Sequence, residues 1–296
     1  MNRQRRFATW MGAVLGALCA LLLAAQGQAS DHPGRLTEEF HHTYPLGAKG
    51  RVDLENINGS VHITAWDQNE VKVDAVKYAN TKERLDEAQI EVDSGSDYVS
   101  IRTKYRDHDH TWTTGVWNNP AGVEYTLTVP RSAWLDEIKL VNGPLDIHGV
   151  AGEVRASCVN GRLTADGLQG RTELSTVNGR TEVQFAQLGS SSIELSSVNG
   201  SVEVTLPSDV KADVEASTVS GGIENDFGLH VNHRRWVGHD LRGELGGGGT
   251  HVRLSNVNGH IDIRHANDGK PLSSVRDLSH REKDDGDRDD DDDDEI

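Results

Sequence analysis

Basic side chains are scarce in this chain, with 30 Lys and Arg against 47 Asp and Glu. The resulting net charge of -17 repels nucleic-acid phosphates, and no basic stripe offsets it, so nucleic acid is excluded as a partner. Cysteine is nearly missing. Of the two, Cys19 lies in a leader, so the exported chain keeps only Cys158 and forms no intrachain disulfide. Stability must therefore come from packing. Long hydrophobic runs are absent too: Trp10 to Ala25 gives sixteen apolar residues, too few to span a bilayer comfortably, and the mature chain is expected to have no transmembrane span. Enzymatic signatures are missing as well, with no G-x-S-x-G, H-E-x-x-H, P-loop, paired-Cys motif or calcium-binding glycine nonapeptide. Nothing in the sequence calls for a cofactor. Seven prolines against 31 glycines suit many tight turns and not a helical bundle.

What is present divides the chain into four parts. Residues 1–29 combine the basic start MNRQRR, the apolar run and the small pair Gly27 and Ala29, which predicts a secretory signal peptide cleaved after Ala29. The protein is therefore expected to be exported to the periplasm, cell surface or medium. Residues 30–46 read as a linker and 47–266 as a β-strand-repeat domain. Residues 267–296 read as a disordered Asp-rich tail, whose last fifteen residues alone carry a net charge of -9.

A recurring tripeptide organises the domain. Val-Asn-Gly ends at Gly143, Gly161, Gly179, Gly200 and Gly259, Ile-Asn-Gly ends at Gly59, and Val-Ser-Gly ends at Gly221. From Gly143 to Gly221 the steps are 18, 18, 21 and 21 residues, and the last step is 38. Two residues after each glycine stand Val61, Leu145, Leu163, Thr181, Val202, Ile223 and Ile261. The following position is mostly polar and the next mostly apolar again, which is the period-2 alternation of a half-buried strand. A second strand before the glycine carries Leu54, Ile138, Ala156, Leu174, Leu195, Ala216 and Leu254 inward, with the tripeptide Val or Ile expected as a further inward plug. Two short strands per unit cannot close a core alone but can when stacked on equivalent units. The pattern predicts an all-β fold, a β-solenoid or β-helix-like stack of 18–21-residue two-strand coils, with a sandwich of hairpins as the competing topology. Residues 64–137 depart from the period and are expected to form an irregular N-terminal cap, including a short polar helix or turn over Thr81 to Gln89.

The repeat residues have structural work to do. Glycine at Gly59, Gly143, Gly161, Gly179, Gly200 and Gly259 supplies a tight corner. The column Asn58, Asn142, Asn160, Asn178, Asn199 and Asn258 is placed to stack amides unit upon unit, with Ser220 breaking the ladder. Cys158 shares its column with Thr176, Ser197, Thr218 and Asn256, a slot for small residues, which predicts a packed, unreactive thiol.

The order of parts is recognisable. A leader is followed by Asn58-Gly59 and ITAWDQNEVKV at 63–73, a strand ending in Val129-Pro130, serial VNG repeats, and a Gly-rich stretch before a last VNG. This arrangement resembles the bacterial putative-adhesin, β-strand-repeat family of exported domains, over residues 47–266. The resemblance implies a β-solenoid-like domain in or outside the cell envelope and no catalytic residues.

Three sets of residues are candidates for binding. His108 and His110 lie two apart in a polar stretch between two strands; on a strand they would share a face, which makes them a weak candidate for a transition metal. His230, His233, Arg234, Arg235, Trp236 and His239 lie in an insertion at 229–249 suited to gripping an envelope glycan or another cell-surface component by stacking and hydrogen bonds. Glu182, Glu203 and Glu224 are expected on adjacent coils about 5 Å apart, each like-charged pair costing roughly 0.8 kcal/mol in water. Arg180 or weakly held divalent cations would relieve that repulsion, and the Asp tail is a second diffuse cation site. The leading functional expectation is a non-enzymatic envelope protein presenting a rigid β surface for binding or scaffolding. The alternatives are a carbohydrate-active enzyme using stacked acids such as Asp146, Glu182 and Glu203, or a periplasmic metal-binding or stress protein.

Overall fold

A computed structural model describes residues 34–105, 120–189, 191–233 and 238–278. The expected leader, His108 and His110, the triplet Arg234 to Trp236 and the Asp run of the tail lie outside the described residues. Alternation of apolar and polar residues is translated into strands almost everywhere. In chain order the first are β1 (Leu36–Pro45), β2 (Arg51–Asn58), β3 (Val61–Trp66) and β4 (Glu70–Ala79). One short helix, α1 (Lys82–Glu87), follows, opened by Thr81, whose hydroxyl accepts from the Arg84 amide. Next come β5 (Ala88–Ser94), β6 (Tyr98–Tyr105), β7 (Gly122–Pro130), β8 (Trp134–Asn142) and β9 (Leu145–His148). The repeats continue as β10 (Val154–Asn160), β11 (Leu163–Asp166), β12 (Thr172–Asn178), β13 (Thr181–Gln184), β14 (Ile193–Asn199) and β15 (Val202–Leu206). The last are β16 (Ala212–Ser220), β17 (Ile223–Asn225), β18 (Asn232–His233), β19 (His239–Leu245), β20 (Thr250–Asn258), β21 (Ile261–His265) and β22 (Val275–Asp277).

These strands form two large mixed sheets. Sheet A runs β1-β4-β7-β3-β9-β11-β13-β15-β21-β17, and sheet B runs β18-β19-β16-β20-β14-β12-β10-β8-β2-β6-β5, with β22 paired to β19. In the repeat region the strand before each NG turn joins sheet B and the strand after it joins sheet A, all parallel to their neighbours. Among the described residues antiparallel pairs appear only towards the ends, at β1/β4, β4/β7 and β5/β6 on one side and β16/β19, β18/β19 and β19/β22 on the other. One buried cluster fills the space between the inward faces, including Leu54, Ile138, Leu174, Leu195 and Leu254 from sheet B and Val61, Leu145, Leu163, Val202 and Ile261 from sheet A.

Four expectations are corrected. Serial stacking fails at the C-terminal end, where β20 and β21 lie between β14–β15 and β16–β17. The 38-residue step explains this: the chain leaves β17, builds β18 and β19 on the outer edge of β16, then re-enters through Gly246–Gly249 on the other side of β16. Consequently Glu203 is the partner of Asp262, and Glu224 of Asp262, so Glu203 and Glu224 are not neighbours. The tripeptide residues do not plug the core. Ile57, Val159, Val177, Val198, Val219 and Val257 are exposed, because the inward parity of these strands falls one residue earlier, on the Cys158 column. Finally, residues 36–45 of the expected linker form β1, and residues 275–277 of the expected tail form β22. Both strands are largely exposed and are held by backbone pairing, so hydropathy gave them no signature.

Candidate functional site

The NG turns set the surface on either side of them. A Cβ on Gly161, Gly179, Gly200 or Gly259 would overlap the carbonyl oxygen of the glycine on the neighbouring unit, so the close approach of units demands glycine there. Beside the glycines the asparagines form a continuous chain of amide hydrogen bonds. Asn142 Nδ2 donates to Asn58 Oδ1 at 2.9 Å, Asn160 to Asn142 at 2.9 Å, Asn178 to Asn160 at 2.8 Å, Asn199 to Asn178 at 3.1 Å and Asn258 to Asn199 at 3.0 Å. Ser220, the register partner of Asn258, stands at the end of this chain. The small buried column beneath has a matching task. Cys158 Sγ, Thr218 Oγ1 and Asn256 Nδ2 each donate to the carbonyl of a neighbouring turn glycine, at 3.5, 3.3 and 2.7 Å. Burial pushes the Cys158 thiol up to about 11, which makes it a poor nucleophile near neutral pH.

Outside sheet B three rows run across the strands. Nearest the turns is the exposed apolar row Ile57, Val159, Val177, Val198, Val257 and Val219. The next outward row is serine on five successive strands: Ser157, Ser175, Ser196, Ser255 and Ser217. Beyond it lies a charged row in which Arg155 pairs with Asp136 at 2.7 Å and Glu173 at 3.3 Å, and Glu215 pairs with Arg242 at 3.1 Å and Arg253 at 3.2 Å. At the far end of β8 the Trp134 side chain is 43% exposed, beside its strand partner Arg51 and a shallow depression lined by Asp136, Glu153, Arg155, Arg171 and Glu173. Trp134 was not visible as a site in the sequence. It sits at the first position of a strand, where alternation does not yet say which side a residue takes.

One pair of carboxylates on this face has its acidities pushed apart. Asp53 and Glu137 are register partners on β2 and β8. Burial raises the Asp53 pKa, with the Arg51 guanidinium at 3.3 Å opposing that shift. A hydrogen bond from Lys139 lowers that of Glu137. Asp53 Oδ1 is buried without a hydrogen-bond partner among the described residues.

Outside sheet A a single row crosses all ten strands: His41, Asp74, Thr126, His62, Asp146, Thr164, Glu182, Glu203, Asp262 and Glu224. His41 Nδ1 meets Asp74 at 2.7 Å and His62 Nδ1 meets Asp146 at 2.9 Å. Asp146 therefore sits against an imidazole, and Glu182 against Arg180 Nη1 at 3.0 Å. In the insertion, His233 and His239 are cross-strand partners with ring centroids 4.6 Å apart and planes nearly perpendicular. His239 Nδ1 is buried without a partner among the described residues, and His230 is exposed just before β18.

No family model matches the chain, and no curated protein matches it in sequence. Among solved structures it is similar to the crystal structure of a putative cell adhesion protein from Clostridium sporogenes. That likeness has 12% identity, covers 77% of this chain and 100% of the other, and has a TM-score of 0.46. A putative adhesin from Bacteroides fragilis is similar at 13% identity over 77% of this chain and 97% of the other, with a TM-score of 0.26. A putative adhesin from Parabacteroides distasonis gives 12%, 76%, 97% and 0.24 for the same measures. No helix among the described residues is long and apolar enough to cross a membrane.

Proposed function

We propose that this chain is an exported, non-enzymatic protein of the cell envelope, its repeats wound as a solenoid-like stack, whose outer sheet B face binds an envelope glycan. The observation that carries the reading is the exposed valine row lying in register beside the serine row. A sugar chain has apolar C–H faces and hydroxyl edges, and this surface offers apolar and hydrogen-bonding rows in parallel, at the strand spacing of about 4.8 Å. Trp134 adds a platform on which a pyranose ring can stack, fenced by carboxylates and guanidiniums that bond hydroxyls. The insertion carrying His230, His233 and His239 is a separate surface at the other end of sheet B.

A second reading, a carbohydrate-active enzyme, draws on the Asp53–Glu137 pair, since acid and base roles need carboxylates of separated acidity. Pull-down with polysaccharide from an envelope fraction tests both readings. Trp134→Ala is expected to lose most retention, while deletion of residues 229–249 retains it; the reverse pattern would move the site to the insertion. Release of new reducing ends by the intact protein, abolished in Asp53→Asn, would replace the binding reading with the enzymatic one.

A further inference from the structure

The row across sheet A is unbalanced at its β17 end. Four carboxylates, Glu182, Glu203, Asp262 and Glu224, stand on the adjacent strands β13, β15, β21 and β17. Arg180 answers Glu182, and Arg264 lies 3.3 Å from Glu203 and 3.5 Å from Asp262. Two guanidiniums against four carboxylates leave an excess of two negative charges when His260 is neutral. That excess falls where His260 Nε2 lies 3.4 Å from Glu224 Oε1 and 3.8 Å from Asp262 Oδ1, with all three donor atoms within 4.8 Å of one another.

We propose that Glu224, His260 and Asp262 form a binding site for a divalent transition metal of the zinc class. A tetrahedral ion with bonds of about 2.0–2.1 Å holds its donors about 3.3–3.4 Å apart. The His260–Glu224 separation already has that value, and the His260–Asp262 separation needs only a small side-chain adjustment. Imidazole with two carboxylates suits zinc and its neighbours, whereas calcium and magnesium take oxygen ligands. Three protein donors leave a fourth position for water, and the charge of the ion cancels the excess in the row. Arg264 Nη2 donates to the same Asp262 Oδ1 at 3.5 Å, which orients the carboxylate and moderates its charge.

A neighbouring residue prepares this place. In the column just after the turn, the strands carry in spatial order Ser60, Pro144, Arg162, Arg180, Ser201, His260 and Gly222. A Cβ on Gly222 would stand 2.7 Å from His260 Cε1 and 3.0 Å from its Nδ1, so the imidazole lies over the bare glycine. Gly222 is not among the glycines of left-handed φ, so the ring, not the backbone, accounts for it. The site also depends on the altered order of units, since β21 reaches β17 only by entering between β15 and β17.

The test is Zn2+ titration of the full chain by calorimetry, with Co2+ absorption as the geometric probe. Other His residues and the Asp tail contribute background, so each variant is read as a difference from the parent. His260→Ala and Glu224→Gln are expected to weaken the tightest site at least tenfold and to remove the intense visible band of tetrahedral Co2+. Gly222→Ala, which alters no ligand atom, is expected to weaken it severalfold. Glu224 is largely exposed, so Glu224→Gln keeps the test informative even if His260→Ala disturbs folding. Unchanged affinity and stoichiometry in Glu224→Gln and His260→Ala with native circular dichroism would overturn the proposal, as would tighter binding of Ca2+ than of Zn2+.

Discussion

Replacing Asn178 by alanine removes two links from the middle of the amide chain. Asn178 donates to Asn160 at 2.8 Å and accepts from Asn199 at 3.1 Å. Both partners are exposed, so water can satisfy the orphaned amides and the cost stays at the low end of about 0.5–1.5 kcal/mol for each hydrogen bond. Two bonds then give about 1–2 kcal/mol, or roughly 3–6 °C in Tm for a domain of this size. Asn258 has one link, to Asn199, because its other neighbour is Ser220. Asn258→Ala should therefore cost about half as much. Paired thermal and urea melts of the two variants give the ratio directly. A cost for Asn178→Ala no larger than that of Asn258→Ala would refute the ladder as an energetic feature and leave it a geometric coincidence.

Three further outcomes follow from the same geometry. Gly179→Ala forces a Cβ onto the Gly161 carbonyl at φ +152 and should cost more than about 3 kcal/mol or prevent folding, whereas Gly228→Ala, with φ +83 and open space, should cost about 1 kcal/mol; urea midpoints separate them. Cys158, with its thiol pushed up to about 11 and its side chain buried, should resist alkylation at pH 8 until denaturant is added, as read by mass spectrometry. The hydrogen bond to Asp74, and next the one to Glu39, raise the His41 pKa above 6.5. A raised pKa stabilises the fold below the unfolded value and loses that contribution as pH rises through the folded value. The Tm deficit of His41→Gln should accordingly be larger at about pH 5.5 than at about pH 8.

Much of this fold was legible because the repeat is written in alternation. Leu174 and Leu195 announce one inward column, Leu163 and Val202 another, and the asparagine column lines up once the glycines are aligned. What was not legible depends on which units touch. Alternation assigns a side to a residue but no neighbour, so the entry of β21 between β15 and β17 was hidden, and with it the meeting of Asp262 with Glu224. The valines were misplaced for a different reason. Counting back two from the buried Thr176 reaches Leu174, so Val177 must point out; apolar character alone suggested the opposite. β1 leaves no mark in the sequence because exposed residues such as His41 and Thr43 carry no burial pattern, although their backbone pairs in register with β4.

The claim that the outer sheet B face is the binding surface is tested most directly by placing charge on its apolar row. Val177→Lys and Val198→Lys alter exposed side chains on adjacent strands and leave the buried columns untouched. Affinity electrophoresis of the full chain through gels containing the envelope polysaccharide gives the dissociation constant. The account predicts at least a tenfold loss of affinity in the double variant with an unchanged melting temperature; retardation equal to that of the parent protein would contradict it.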